Sequence, residues 1–198
     1  MRLRHLPALL CLVVSPLSLA QDAIYVGVGG YQFNYDENIP NVLISGISDT
    51  STAYRLFGGF EFNEYFAIEM SYGKSGNLAY RQAGDFPGFG QTSYSLVTDF
   101  KISSFRAIGQ FPLEFGALLG GLGYFTSDND FREDILTECC GSLPSQGSFT
   151  DNGLTASLGA EWRFGRFGTR YGLRLEYEWW DTESVDTSAL GVAFSYGF

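Results

Sequence analysis

The sequence predicts an all-β fold, an eight-stranded antiparallel up-and-down transmembrane β-barrel, on three observations. Large apolar residues alternate with small or polar ones at period two in one segment after another. The connections between these segments are long and short in turn. After the first twenty residues, no stretch reaches the roughly 18 continuous apolar residues of a membrane helix, whereas a barrel strand needs only about 9–11 with one apolar face.

The chain begins with a targeting signal. Arg2 and Arg4 supply a positive start, Leu6 to Leu19 an apolar stretch, and Ser18-Leu19-Ala20 the small residues of a peptidase site. A helix is disfavoured there because Pro7 and Pro16 interrupt the run. The expected organisation is a signal peptide over 1–20 and one barrel domain over 21–198. Cys11 does not make a lipid-attachment site, because Leu10 stands where a small residue belongs.

Composition then excludes whole classes of chemistry. The only histidine, His5, leaves with the signal, so Ser-His-Asp, Cys-His and histidine-ligated metal sites are all excluded. Taking Arg2 and Arg4 from the twelve basic residues leaves ten against 22 acidic, a net charge of −12, the wrong sign for nucleic acid. The aromatic content of 17% is too high for a disordered chain. Cys139 and Cys140 are adjacent, which rules out CxxC and zinc-knuckle spacing and leaves a vicinal disulfide, an intermolecular link or two spectator thiols.

The strands follow in order. Over 24–33, 97–111 and 115–127 the alternation is blurred by glycine, and the segments are read as strands without a fixed face. Over 54–63, Tyr54, Leu56, Gly58, Phe60 and Phe62 oppose Arg55, Phe57, Gly59, Glu61 and Asn63; over 66–73, Phe66, Ile68, Met70 and Tyr72 oppose Ala67, Glu69, Ser71 and Gly73. Leu154 to Phe164 alternates with a face holding Glu161 and Arg163. In 169–180, Tyr171, Leu173, Leu175, Tyr177 and Trp179 oppose Arg170, Gly172, Arg174, Glu176 and Glu178. The last strand, 187–198, is faultless: Leu190, Val192, Phe194, Tyr196 and Phe198 oppose Ala189, Gly191, Ala193, Ser195 and Gly197. The expected long connections are 34–52, 77–96 and 128–153, with 181–186 intermediate. The turns at 64–65, 112–114 and 165–168 are tight. Both termini then fall at the short-turn, periplasmic end.

Alternation alone does not separate a soluble barrel with an apolar core from one with lipid outside. Three features favour lipid outside. The polar face is rich in Gly, Ala and Ser, which suits a narrow eight-stranded interior. Aromatics gather near strand ends, including Trp162/Phe164, Trp179/Trp180 and Tyr196/Phe198, as in interfacial girdles. The apolar face is also too continuous for a solvated surface. An arginine facing mid-bilayer lipid costs roughly 2–4 kcal/mol, so Arg170, Arg174, Glu176 and Glu178 must face the lumen. There, with Arg55, Glu61, Glu69, Arg106, Glu161 and Arg163, they are expected to form a charged network that fills the barrel or gates a narrow path.

Tyr25-Val-Gly-Val-Gly-Gly30, Phe57-Gly-Gly-Phe-Glu-Phe-Asn63, Phe66-Ala-Ile-Glu-Met-Ser-Tyr-Gly73, Gly120-Gly-Leu-Gly-Tyr124 and Phe194-Ser-Tyr-Gly-Phe198 together resemble the small outer-membrane β-barrel family. That is the family of the outer membrane protein A transmembrane domain and outer membrane protein X. The resemblance spans the mature chain. It implies the outer membrane of a Gram-negative envelope, contact with its lipid and lipopolysaccharide, and recognition of Phe194, Tyr196 and Phe198 by the barrel-assembly machinery. The chain stops at the barrel, so the wall-binding domain of longer members is not carried over.

The expected function is non-enzymatic: a structural or surface-display barrel with acidic extracellular loops, and no catalytic, cofactor or metal site. The alternative is a porin-like narrow channel or a route for small molecules. A hydrolase would have to rely on a carboxylate pair such as Glu176/Glu178. Asp128, Asp130, Glu133, Asp134 and Glu138 concentrate charge in one connection, but Arg132 and Glu133 break the calcium-loop pattern that begins at Asp128. No motif in the loops names an extracellular partner.

Overall fold

The structure of the protein is a computed structural model that describes residues 24–41, 44–86, 90–138, 141–165, 170–181 and 186–198. The signal segment 1–20 and the Cys139-Cys140 pair lie outside the described residues. The described strands are β1 (Ile24–Asn41), β2 (Ile44–Asn63), β3 (Phe66–Ser75), β4 (Leu78–Phe86), β5 (Gly90–Leu113), β6 (Gly116–Thr137), β7 (Gly141–Phe164), β8 (Arg170–Asp181) and β9 (Asp186–Gly197).

These strands make a closed antiparallel ring. Most pair with their chain neighbours, and β9 returns to β1 with Tyr25 opposite Gly197 and Asp36 opposite Asp186. Both β3 and β4 pair with β5, the first set ending at Lys74 opposite Lys101 and the second starting at Leu78 opposite Thr98. They are two halves of one stave, interrupted at Gly76-Asn77. There the Gly76 N–H donates to the Thr52 carbonyl (2.7 Å) and the Phe100 N–H to the Ser75 hydroxyl (3.1 Å). Nine strands therefore form eight staves, the up-and-down barrel that the alternation predicts.

The barrel is apolar outside and polar within. Met70, Leu118, Leu122, Leu154, Leu158 and Val192 are all at least half exposed on the outer wall, while Glu69, Arg106, Glu176 and Glu178 are buried to 2% or less. A water-soluble protein reverses this arrangement. In a membrane, lipid covers the outer wall, and the closed ring satisfies every ladder N–H and C=O that lipid could not.

The lumen also takes aromatic rings, and its glycines make room for them. Tyr25 lies directly across from Gly59, Phe57 from Gly27, and Tyr31 from Gly191. In each pair, a Cβ on the glycine would fall within the partner's ring. Glycine here is a socket for a cross-strand aromatic side chain.

Two expectations need correction. The connections 34–52, 77–96 and 128–153 are not loops: the ladders run on, with Asp36 opposite Ser48, Gln82 opposite Tyr94, and Glu133 opposite Ser145. These hairpins extend beyond the membrane, where both faces meet water and no apolar alternation is needed to keep a strand. Gly90 and Gly141, with φ of 68° and 80°, sit at their tips in the left-handed region glycine enters freely. The second correction concerns Trp180, placed above with an interfacial girdle. Trp179 faces outward but Trp180 is 8% exposed, packed in the lumen with Phe33. It shares the parity of Glu176 and Glu178, which is the reason.

Candidate functional site

The lumen is layered, and each strand contributes through the residues on its inward parity. At the short-turn end lie Glu61, Gln110, Glu161, Arg163 and Arg170. Arg170 binds Glu61 at 2.7 Å, and Arg163 binds Glu161 at 2.8 Å and Glu61 at 3.3 Å. Gln110 joins them, donating to Glu61 (3.2 Å) and accepting from Arg163; the Ser195 hydroxyl donates to Glu161 at 2.9 Å. Above this layer, Tyr25, Phe57, Ala67, Ile108, Leu119 and Ala193 form a small apolar cluster.

The middle layer holds Arg55, Arg106 and Arg174 against Glu69, Glu176 and Glu178. Arg106, fully buried, binds Glu69, Glu176 (2.6 Å) and Glu178 (3.2 Å). Arg55 binds both Glu176 and Glu178. Arg174 reaches Glu69 at 2.6 Å and Glu161 at 3.6 Å, and the second contact ties the middle layer to the lower one. The carboxylates receive further donors, from the Tyr25 hydroxyl to Glu69 (3.1 Å) and the Thr155 hydroxyl to Glu178 (2.9 Å). Arg55 stacks over the Tyr31 ring at 4.5 Å and Arg174 over Phe57 at 4.8 Å.

Toward the long-hairpin end, Tyr31, Phe33, Leu78, Phe100, Phe125, Trp180 and Ala189 close the lumen with an aromatic layer. The cavities on either side of this layer are about 30 Å³ each. That is room for a water or two, not for a solute path.

All ten residues singled out from the sequence for a lumen network therefore meet: five arginines and five glutamates joined by ion pairs. Their formal charges cancel, so these ten residues contribute nothing to the chain's net charge of −10. Such burial is tolerable only because each charge has a partner. The aromatic layer was not legible as such. Trp180 lies on the parity of Glu176 and Glu178, and that was the available signal. Phe33, Phe100 and Phe125 lie in strands where glycine blurs the pattern.

Elsewhere the expected residues do not converge. Strand geometry sends Asp128, Asp130 and Asp134 to one face of the β6–β7 ribbon and Glu133 to the other. Asp128 accepts from the Thr150 hydroxyl (3.0 Å) and Asp130 from Lys101 (2.9 Å). Among the described residues, no three acidic, histidine or cysteine side chains gather as metal ligands. At the closing seam, Phe194 and Phe198 are exposed on the outer wall. Tyr196 packs between Tyr171 (5.3 Å between centroids) and Phe198 (5.8 Å).

Comparison with known proteins agrees with this architecture. Residues 6–198 match the family described as outer membrane protein beta-barrel domain. The chain is similar in fold to Ail, the attachment invasion locus protein of Yersinia pestis, in complex with the heparin analogue sucrose octasulfate. That likeness has a TM-score of 0.56 at 17% identity and covers 90% of this chain and 100% of that one. It is also similar to the outer membrane protein OprG of Pseudomonas aeruginosa, with a TM-score of 0.52 at 10% identity, covering 89% of this chain and 96% of that one. No curated protein matches it in sequence.

Proposed function

This chain belongs to the outer membrane protein beta-barrel domain family and resides in the outer membrane, and from there we propose that it works as a closed, non-enzymatic barrel displaying acidic β-ribbons outside the cell. The observation that carries the reading is the lumen. Ten paired charges and an aromatic layer fill it, and eight strands leave space for little else. The strands β5, β6 and β7 have 24, 22 and 24 residues. A membrane uses about 9–11 of them, leaving roughly a dozen residues, about 40 Å of strand, beyond it.

The carboxylate pair Glu176/Glu178 does not support hydrolysis. Both are buried and held by Arg55 and Arg106, so neither is free to take a proton from a substrate. Nor does fold likeness to a protein crystallised with a heparin analogue bring that ligand here, because polyanions need cationic loops and these ribbons are acidic. Residues 1–20 would direct export and be removed. Phe198, with Tyr196 and Phe194, would present the terminal signal to the barrel-assembly machinery.

The test is potassium leak from lipid vesicles carrying the refolded protein. The expected rate equals that of protein-free vesicles. A leak proportional to protein content would overturn the closed lumen in favour of a narrow channel.

A further inference from the structure

The mouth of the barrel holds a small cavity whose polar wall lacks a partner. It lies on the outer side of the aromatic layer, has a volume of about 30 Å³, and is walled by the rings of Phe33, Phe100, Phe125, Phe149 and Trp180. Its polar wall comes from the inward faces of β6 and β7, where Ser127 stands directly across from Asp151 and Asn129 from Phe149. Asn129 is 2% exposed. Its Nδ2 donates to the Ser127 hydroxyl at 3.1 Å, and its Oδ1 has no hydrogen-bond partner. Buried carbonyl groups are almost always paired, so an unpaired one marks a place for a donor. Asp151, half-buried on the same wall, accepts from the Asn152 N–H at 2.8 Å, and no lysine or arginine is among the described residues that line the cavity.

The occupant of such a cavity must donate hydrogen bonds and carry positive charge. An unpaired amide oxygen, a carboxylate without a cation and five aromatic rings all favour a cationic donor. A hard metal ion would need six or more oxygen ligands, which rings do not supply. The Trp180 indole N–H is also unpartnered, but Trp180 borders the cavity beneath as well, so the acceptors decide the ligand. The volume suits one ammonium head, close in size to a water molecule with its share of about 30 Å³. An alkyl chain would leave past Phe149, which is 48% exposed. Asn129 lies eight ladder steps below the hairpin end at Thr137 and Gly141, roughly 26 Å at the rise of a strand. A lysine side chain on a folded partner does not reach that far, which leaves a free small amine.

We propose that this cavity, with Asn129 and Asp151 as its acceptors, is a binding site for the primary ammonium group of a small aliphatic amine. Asn129 Oδ1 accepts from the ammonium, Asp151 supplies the counter-charge, and the surrounding rings hold the first methylene. The chain's net charge of −10 favours the approach of a cation. The site lies above the charged network, so it is independent of whether the lumen is closed.

The test is an NMR titration of the full mature barrel in lipid nanodiscs with n-butylammonium chloride, read at the indole N–H signals. Of the three tryptophans, Trp180 borders the cavity, while Trp162 and Trp179 are exposed on the outer wall. The expected result is a saturable shift of the Trp180 signal with the other two unmoved. Uncharged n-butanol, of nearly the same size, should bind at least about 10-fold more weakly, the worth of a hydrogen bond to a charged group. Each variant is first checked for the heat-modifiable gel shift of a folded barrel. Asn129→Leu and Asp151→Asn should each weaken binding of the amine about 10-fold, and Asp130→Asn, on the outward face of the same ribbon, should leave it unchanged. The comparison of amine with alcohol uses the unaltered protein, so it holds even if a variant misfolds. Equal affinity for n-butanol, equal shifts at all three tryptophans, or no saturable shift at Trp180 would overturn the site.

Discussion

Arg106 shows how much rests on single residues. It is fully buried and bridges Glu69, Glu176 and Glu178, which come from two different strands. Arg106→Ala would leave carboxylates buried with one cation fewer, and removing one partner of a buried pair costs about 3–5 kcal/mol. Denaturant unfolding of the refolded barrel in lipid vesicles should read a loss of that size, against less than about 0.5 kcal/mol for a surface change such as Arg132→Ala. The glycine sockets give a second residue-scale prediction. Gly191→Ala sets a methyl against the Tyr31 ring and should destabilise by about 1–3 kcal/mol in the same measurement. Charge and parity made the network residues readable in the sequence, because Arg174, Glu176 and Glu178 alternate with Leu173, Leu175 and Tyr177 and lipid admits only one assignment. The sockets were not readable, since which glycine faces which ring depends on the register between strands. The register of Tyr31 with Gly191 joins residues far apart in the chain.

At the scale of strands, alternation identified the membrane-crossing half of each stave and nothing beyond it. The sequence 128–153 lacks apolar alternation because its two faces meet the same solvent, yet its backbone stays paired from Asp128 opposite Thr150 to Thr137 opposite Gly141. Among the described residues, its outer strand is a sheet edge beyond Gly153 and carries Pro144, which has no N–H to donate to another chain. The ribbon stands clear of the lumen network, so replacing residues 131–147 with a tight Asn-Gly turn should leave the heat-modifiable gel shift and the unfolding midpoint of the barrel intact. A truncated protein that no longer folds would show that the ribbon is part of the barrel's stability.

The whole molecule is an inside-out barrel in which the membrane supplies what a soluble core would otherwise provide. Leu122, 70% exposed on β6, belongs to the lipid face and Leu119, 6% exposed, to the lumen. Leu122→Arg should therefore cost about 2–4 kcal/mol near the bilayer midplane, and in vesicle unfolding experiments the penalty should shrink as the arginine is moved outward along β6 to Thr126. A water-facing outer wall would show no such dependence on depth. On the proposed reading, the neutral lumen is a closed passage and the excess negative charge outside it an acidic face turned to the surroundings. Current recording across a planar lipid bilayer tests that central claim most directly. The filled lumen predicts no steady conductance from the refolded protein under an applied potential, and reproducible ohmic steps from the unaltered sequence would contradict it.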